Sequence, residues 1–314
     1  MHRELRSTRD AYGEAIVELG ERKQDLYVID ADLACSTQTK LFGDKYPERF
    51  VNVGCSEQDL IGTAAGLAMA GNTVFASTHA FFATARPWDQ IRTLVAHDKL
   101  DVKIAASHGG MTNASDGYTH HALEDIAIMR VIPNMGVVVP ADFNEARSAV
   151  LESANKQGPC YLRFSRTKTP EIFENDHKYT EKLEPIEELG SDCVVVACGT
   201  MVAPALEAVK QLKDEKTFCT LLNASTIKPF DSVNLEKFAR TTGAVVTAEE
   251  HSIIGGLGSG VAEILSDCYP VPVRRIGVKD TFTQSGTPEE LYKHYGLTKE
   301  DIVKAVRHSI SCIS

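Results

Sequence analysis

The chain has 314 residues, of which 43% are hydrophobic, 24% charged and 7% aromatic. That is enough for about two domains with their own cores, and it excludes disordered, collagen-like and low-complexity classes. There are 33 basic residues against 43 acidic ones, a net charge of −10 with no basic run, which argues against nucleic acid as a partner but leaves room for a small arginine-lined anion site.

Residues 10–21 (DAYGEAIVELGE) place Ala11, Ala15, Ile16 and Leu19 at helical spacing. LYVID at 26–30 reads as a short buried strand ending in an acid, and FVNV at 50–53 as another, closed by Gly54. The small-residue run 61–70 predicts a tightly packed helix, 73–77 a strand and 88–95 a helix. VKIAAS at 102–107 is a strand running into a polar loop at 108–121. A strand at 135–139 is closed by Pro140, and a helix at 144–155 and a strand at 160–164 follow. Residues 167–190 are charged, hold two prolines and lack a long apolar run, the pattern of a linker. Beyond it, strands at 193–197, 218–222, 244–248 and 273–276 alternate with helices at 202–212 and 260–268, and helices at 288–294 and 299–308 close the chain. The fold class is therefore α/β, with two domains, each a mostly parallel sheet flanked by helices. The divisions are 1–170, a linker at 171–189, and 190–314.

No run approaches the roughly 20 apolar residues of a membrane helix. The charged first ten residues have no apolar core of a signal peptide, so a cytoplasmic location without membrane contact is expected. Eight cysteines form no C-x-x-C pair and sit mostly in apolar runs, which favours small buried hydrophobes in a reducing compartment over a disulfide or reactive thiol.

There is no G-x-G-x-x-G after a strand and no G-x-x-x-x-G-K-[ST] loop. GGLGSG at 255–260 leads into a helix and reads as a tight loop or, alternatively, an anion cradle. Glu57 follows a strand and opens a helix, so it either caps backbone N–H groups or serves as a ligand-facing carboxylate at a strand's carboxyl end. The loop HGGMTNASDGYTHH carries His108, Asp116, His120 and His121. Three histidines and an acid suggest a metal, yet adjacent side chains diverge, and convergence on one ligand is the other reading. Phe81, Phe82 and Trp88 are core aromatics or a surface for stacking on a flat heterocycle. Arg9, Ser36 and Arg166 stand at strand ends or helix starts, where phosphate is held.

With these residues in view, TRDAYGEA, VIDADL, FVNVGCSEQDLIGTAAGLAMAG, STHAFFATARPWDQIR, KIAASHGGMTNASDGYTHHALEDIAIMR and VIPNMGVVVPAD together resemble the transketolase family. The resemblance is to its C-terminal half, a pyrimidine-binding domain followed by a C-terminal domain, as in the smaller subunit of a split two-chain enzyme. It implies thiamine diphosphate, with Mg²⁺ or Ca²⁺, both held mainly by a partner subunit. The G-D-G motif with a downstream Asn that holds diphosphate and metal is missing here, since the only G-D is Gly43-Asp44 followed by Lys45. An N-terminal transketolase subunit, an α₂β₂ assembly and sugar phosphates are the implied partners.

By the same resemblance Glu57 would share a proton with N1′ of the aminopyrimidine, Phe82 would pack on its ring, and Asp32 would lie near the cofactor at the subunit contact. Arg9, Ser36, His108 and Arg166 would bind sugar phosphate, Asp116 would read a sugar hydroxyl, and His120 would transfer protons near the reacting carbon, with His108 beside it. His79 stands where the family has a phenylalanine against the pyrimidine. His121, Asn113–Ser115 and Cys35 depart from its usual glutamine, glycine-rich run and glycine or proline. A specialised transketolase for a modified or sulfonated sugar fits these departures. A 2-oxoacid dehydrogenase β-subunit, a 1-deoxy-xylulose-phosphate synthase-like enzyme and a catalytically silent partner subunit are the alternatives.

Overall fold

The computed structural model describes residues 4–188 and 190–312. The apolar runs of the first half become strands: β1 (Leu5–Ser7), β2 (Leu26–Asp30), β3 (Phe50–Asn52), β4 (Thr73–His79), β5 (Val102–Ser107), β6 (Gly136–Val138), β7 (Cys160–Arg163) and β8 (Lys168–Pro170). The second half adds β9 (Glu184–Glu188), β10 (Cys193–Ala197), β11 (Cys219–Asn223), β12 (Thr226–Lys228), β13 (Val245–Ser252) and β14 (Val273–Val278). The first sheet runs β12-β6-β7-β5-β4-β2-β3 and the second β14-β13-β10-β11-β9, while β1 and β8 pair as a separate ribbon. Each large sheet is parallel except at one edge: β12 lies antiparallel to β6, and β9 antiparallel to β11. Every residue of β4, β5 and β10 is buried, as a parallel strand covered on both faces requires.

Two features depart from the sequence expectations. Residues 184–188, inside the segment read as a linker, form the edge strand β9. An edge strand pairs on one side only and tolerates charge and proline, so EPIEE carries no apolar run to read. Strand β12, from beyond that segment, crosses back to complete the first sheet. One apolar cluster accordingly spans both halves, with Ile29, Ile104 and Val137 packed in the same core as Val194, Leu222 and Leu257. A buried polar knot reinforces the junction: Arg163 donates to Asp125 Oδ2 at 2.6 Å, to the Ala122 carbonyl at 2.9 Å and to the Glu250 carbonyl at 3.0 Å.

GGLGSG resolves into its bland reading. The helix Leu257–Cys268 starts there, and its first N–H groups at Leu257 and Gly258 are taken by the buried Glu249 carboxylate at 2.6 and 2.8 Å, which leaves those donors for no outside anion. All eight cysteines are free, with Cys193, Cys198 and Cys219 buried but Cys35, Cys55 and Cys312 exposed. Among the described residues no helix is long and apolar enough to cross a membrane.

The register of the first sheet aligns strand ends. Asp30 pairs with Ser77, Ser77 with Ala105, and His79 with Ser107. The segments that follow β2, β4 and β5 therefore emerge along one edge, the carboxyl edge where α/β sheets bind ligands.

Candidate active site

At the end of β4, His79 stands in extended conformation and the helix Ala80–Ala85 begins at once, presenting Phe82. At the end of β5, His108 takes a left-handed φ of 61°, and the two glycines after it follow from crowding. A Cβ on Gly109 would stand 2.7 Å from Arg163 Nε, and one on Gly110 would overlap the Glu250 carboxyl. The two turns bring the His79 and His108 rings to 3.9 Å between centroids. Phe82 lies 6.0 Å from His79 and 5.2 Å from His120. Ser107 Oγ is 2.8 Å from His108 Nδ1, and Asn113 Nδ2 is 3.4 Å from His79 Nδ1. With Asn113 donating, the His79 proton sits on Nε2, a buried atom without a hydrogen-bond partner.

Burial and neighbouring positive groups hold both rings neutral. The pKa of His79 falls from 6.5 to about 4 and that of His108 to about 2, burial being the main cause in each. Among those positive neighbours are Arg9 and Arg166. Arg9 belongs to the first turn of the helix Thr8–Arg22, whose start is fixed to the loop after β7: Ser165 N donates to Thr8 Oγ1 at 2.7 Å and Arg9 N to the Ser165 carbonyl at 3.2 Å. The same loop carries the exposed Arg166. Arg9 Nη1 donates to the Ser36 carbonyl at 3.0 Å, while its buried Nε makes no hydrogen bond and lies 3.7 Å from Asp10 Oδ1. The Ser36 loop is anchored by buried Asp30, which accepts from Leu33 N at 2.6 Å, Thr37 Oγ1 at 2.7 Å and Thr39 Oγ1 at 2.9 Å.

Glu57 opens the helix Glu57–Met69 and is 6% exposed. Among the described residues its carboxylate bonds no backbone N–H of that helix; Oε1 accepts from Arg86 Nη1 at 2.8 Å. The Arg86 guanidinium also lies 4.3 Å from the Phe82 ring centroid. Asp32 is exposed at a φ of 63°; its Oδ1 accepts from Asn52 Nδ2 at 3.2 Å and its Oδ2 lies 3.7 Å from Cys55 Sγ.

In the 108–121 loop, Asp116 is exposed and accepts from Ser115 Oγ at 3.1 Å. His120 and Phe82 meet edge to face. His121 turns inward, its Nδ1 2.6 Å from Thr283 Oγ1 of the second domain. Among the described residues the loop's histidines and Asp116 bring no three ligand atoms to metal spacing, because the adjacent histidines point apart.

The chain thus gathers Arg9, His79, His108, Arg166, Phe82 and His120 into one neighbourhood, with Glu57 joined to Phe82 through Arg86. Ser36 meets the group through its carbonyl, and Asp32 sits beside Asn52 and Cys55 at the β3 end. Arg86 was not singled out from sequence, and Asn113 only as part of the Asn113–Ser115 departure from the family's glycine-rich run. Arg86 follows Phe82 by four residues, the spacing that puts two side chains on one helix face, and that signal was readable. Thr283 was not, since only the tertiary fold brings it to His121.

The family model for the transketolase pyrimidine-binding domain matches residues 5–171, and that for the transketolase C-terminal domain matches 181–302. A Methanocaldococcus jannaschii protein named as a transketolase C-terminal section is 44% identical over 95% of this chain and 94% of its own length. The 6-deoxy-6-sulfo-D-fructose transketolase subunit SqwH of a Clostridium species is 38% identical over 95% of this chain and 92% of its own length. A solved split-gene transketolase, described as an inactive β₄ tetramer, superposes with a TM-score of 0.91 at 47% identity, covering 97% of this chain and 98% of that one. With both of its domains and nearly its whole length matched in this way, the chain belongs to the transketolase family, as a C-terminal subunit of the split kind.

Proposed function

We propose that this subunit forms the pyrimidine side of a thiamine-diphosphate-dependent transketolase, which moves a two-carbon ketol unit from a ketose phosphate to an aldose phosphate once a second chain supplies the diphosphate and metal site. The observation that carries this reading is the Glu57 carboxylate, 6% exposed, joined through Arg86 to Phe82 on an edge that also carries two arginines and two neutral histidines.

The residues fit the aminopyrimidine half of the cofactor. Phe82 offers a half-buried aromatic face, Glu57 a buried carboxylate with a single side-chain partner, and His79 Nε2 a buried polar atom with none. For the diphosphate and its metal the sequence offers no G-D-G motif, which assigns Mg²⁺ or Ca²⁺ to the partner. When bound, thiamine diphosphate supplies a nucleophilic thiazolium carbon that takes up the ketol unit and spreads the charge left behind. Glu57 would share a proton between its carboxyl oxygen and N1′, in a setting where burial keeps water from competing. Arg9 and Arg166 would hold the tetrahedral anion of the sugar by charge-assisted hydrogen bonds. His108 and His79, being neutral, add donor or acceptor atoms but no charge. Asp116 exposes its carboxylate to sugar hydroxyls, and His120 is placed to pass a proton to a sugar oxygen.

The two arginines favour a substrate with a terminal oxyanion over the uncharged end of a simple 2-oxoacid. A sulfonate satisfies them as a phosphate does, and the relative named for a sulfofructose substrate supports keeping both. The solved relative described as an inactive β₄ tetramer supports dependence on a partner, and we assign an α₂β₂ assembly with cofactor between chains.

The test mixes the chain with an N-terminal transketolase subunit, thiamine diphosphate, Mg²⁺ and a panel of ketose phosphates and sulfonates. Ketol transfer is expected only in the mixture, with two copies of each chain by light scattering. Tight Mg²⁺-dependent cofactor binding by this chain alone, measured calorimetrically, overturns the reading.

A further inference from the structure

The sequence between the two sheets is not inert. The helix Phe143–Ser153 carries Glu145, the segment leading to β9 carries His177, and β9 itself carries Glu184. One ligand atom from each of the three lies within 4.8 Å of the others, and His177 Nε2 is 3.8 Å from Glu184 Oε2.

Two of these atoms, His177 Nε2 and Glu184 Oε2, are buried without a hydrogen bond, whereas Glu145 accepts at both of its carboxylate oxygens. The His177 side chain is 10% exposed, and its Nε2 has no hydrogen-bond partner. Glu184 Oε2 is likewise buried without a hydrogen bond, its charge contact being His177 Nε2. Asn223, at the end of β11 and 1% exposed, donates through Nδ2 to Glu145 Oε1 at 2.7 Å, while its own Oδ1 is unpaired. A buried polar atom without a hydrogen bond is costly, so His177 Nε2 and Glu184 Oε2, facing each other at 3.8 Å, mark a place where something is bound. Glu145 is oriented there by the Ala141 N–H, which donates to Oε2 at 2.7 Å, and the His177 ring is stacked on Phe173 at 4.0 Å between centroids.

We infer that Glu145, His177 and Glu184 form a binding site for one divalent transition-metal ion of the Zn²⁺ class, clamping the junction between the two domains. A cation meets two carboxylates and an imidazole nitrogen together. The imidazole selects a first-row transition metal over Mg²⁺ or Ca²⁺, which prefer all-oxygen shells. Ligand atoms around Zn²⁺ at about 2.0–2.2 Å stand closer together than they do here, so binding draws the segment carrying His177 and β9 inward by a fraction of an ångström. Because the three ligands come from the first domain, the connecting segment and the second sheet, the ion ties together pieces that otherwise meet through packing.

The full chain, stripped with a chelator, is titrated with Zn²⁺ by calorimetry and melted with and without the ion, beside His177→Gln and Glu184→Gln. The proposal expects one Zn²⁺ per chain in the wild type, a Tm that rises with Zn²⁺, and loss of both in each variant. Zn²⁺ bound equally well by the variants, at the exposed cysteines for example, overturns it, as does no binding by the wild type. Should His177→Gln fail to fold, Glu184→Lys carries the test. Its ammonium fills the position of the cation from a partly exposed edge strand, so the chain stays folded while Zn²⁺ binding and the Zn²⁺-dependent rise in Tm disappear.

Discussion

Arg86 donates from Nη1 to Glu57 Oε1 at 2.8 Å while its guanidinium lies 4.3 Å from the centroid of the Phe82 ring. One side chain therefore fixes the carboxylate and the aromatic that this subunit offers to an aminopyrimidine. The arginine is half exposed, at 52% of its side-chain surface, so the pair adds little to folding stability, and its effect falls on orientation.

Arg86→Ala should leave the melting temperature of the isolated chain nearly unchanged. Cofactor affinity of the two-chain enzyme should fall about five- to tenfold, the equivalent of about 1 kcal/mol for a solvent-screened charge pair. Calorimetric titration of the reconstituted enzyme reads this directly. Unchanged affinity would mean that Glu57 and Phe82 hold their positions without Arg86.

Arg166→Ala should weaken phosphorylated or sulfonated substrates far more than neutral sugars. A charge-assisted bond to an oxyanion contributes about 1.5–3 kcal/mol, roughly ten- to a hundredfold in affinity. Steady-state kinetics on matched pairs of sugars, with and without the anion, decide the matter, and equal losses on both would assign Arg166 a structural role.

His79 sets an acid limit on stability. Its pKa is drawn down from 6.5 to about 4 in the folded chain. The stability it contributes is complete above 6.5 and is lost as pH falls through about 4, because the unfolded chain takes up the proton first. In His79→Phe this loss is gone, so between pH 7 and pH 4 the variant should lose roughly 2–3 kcal/mol less than the wild type. Urea unfolding at several pH values measures the difference, and parallel pH profiles would show that His79 is not held neutral. His108, drawn down to about 2, continues the wild-type decline at lower pH.

Most of the fold was legible because buried parallel strands announce themselves. LYVID, VKIAAS and CVVVA are short, mainly apolar runs, and each is a strand over the residues read. The elements that escaped lack that signal. EPIEE is a charged edge, and TIK is a three-residue strand whose partner is in the other domain. The helix Asp125–Arg130 is too short for periodicity to register, while Ser232–Thr242, although amphipathic, went unread. The helix Glu57–Met69 begins at the residue read as opening it, although its polar first turn lies ahead of the small-residue run at 61–70 that carries the apolar signal. In the candidate site, residues at strand ends were readable one by one, because a polar residue after a buried strand has few other reasons to be there. Their mutual arrangement was not. The close, tilted approach of the His79 and His108 rings depends on the left-handed turn at residue 108, and the inward swing of His121 depends on Thr283 in the second domain.

Whether Glu57 is the carboxylate that shares a proton with the cofactor is decided by C2 proton–deuterium exchange of thiamine diphosphate bound to the two-chain enzyme, comparing wild type with Glu57→Gln and recording a melting curve for each. An amide can still form a hydrogen bond to N1′ but cannot share a proton with it. Exchange should therefore fall by orders of magnitude in Glu57→Gln while the chains stay assembled and the melting temperature holds. Wild-type exchange in the variant, with stability lowered by about 0.5–2 kcal/mol as for a lost helix cap, would contradict this and leave Glu57 a structural residue of its helix.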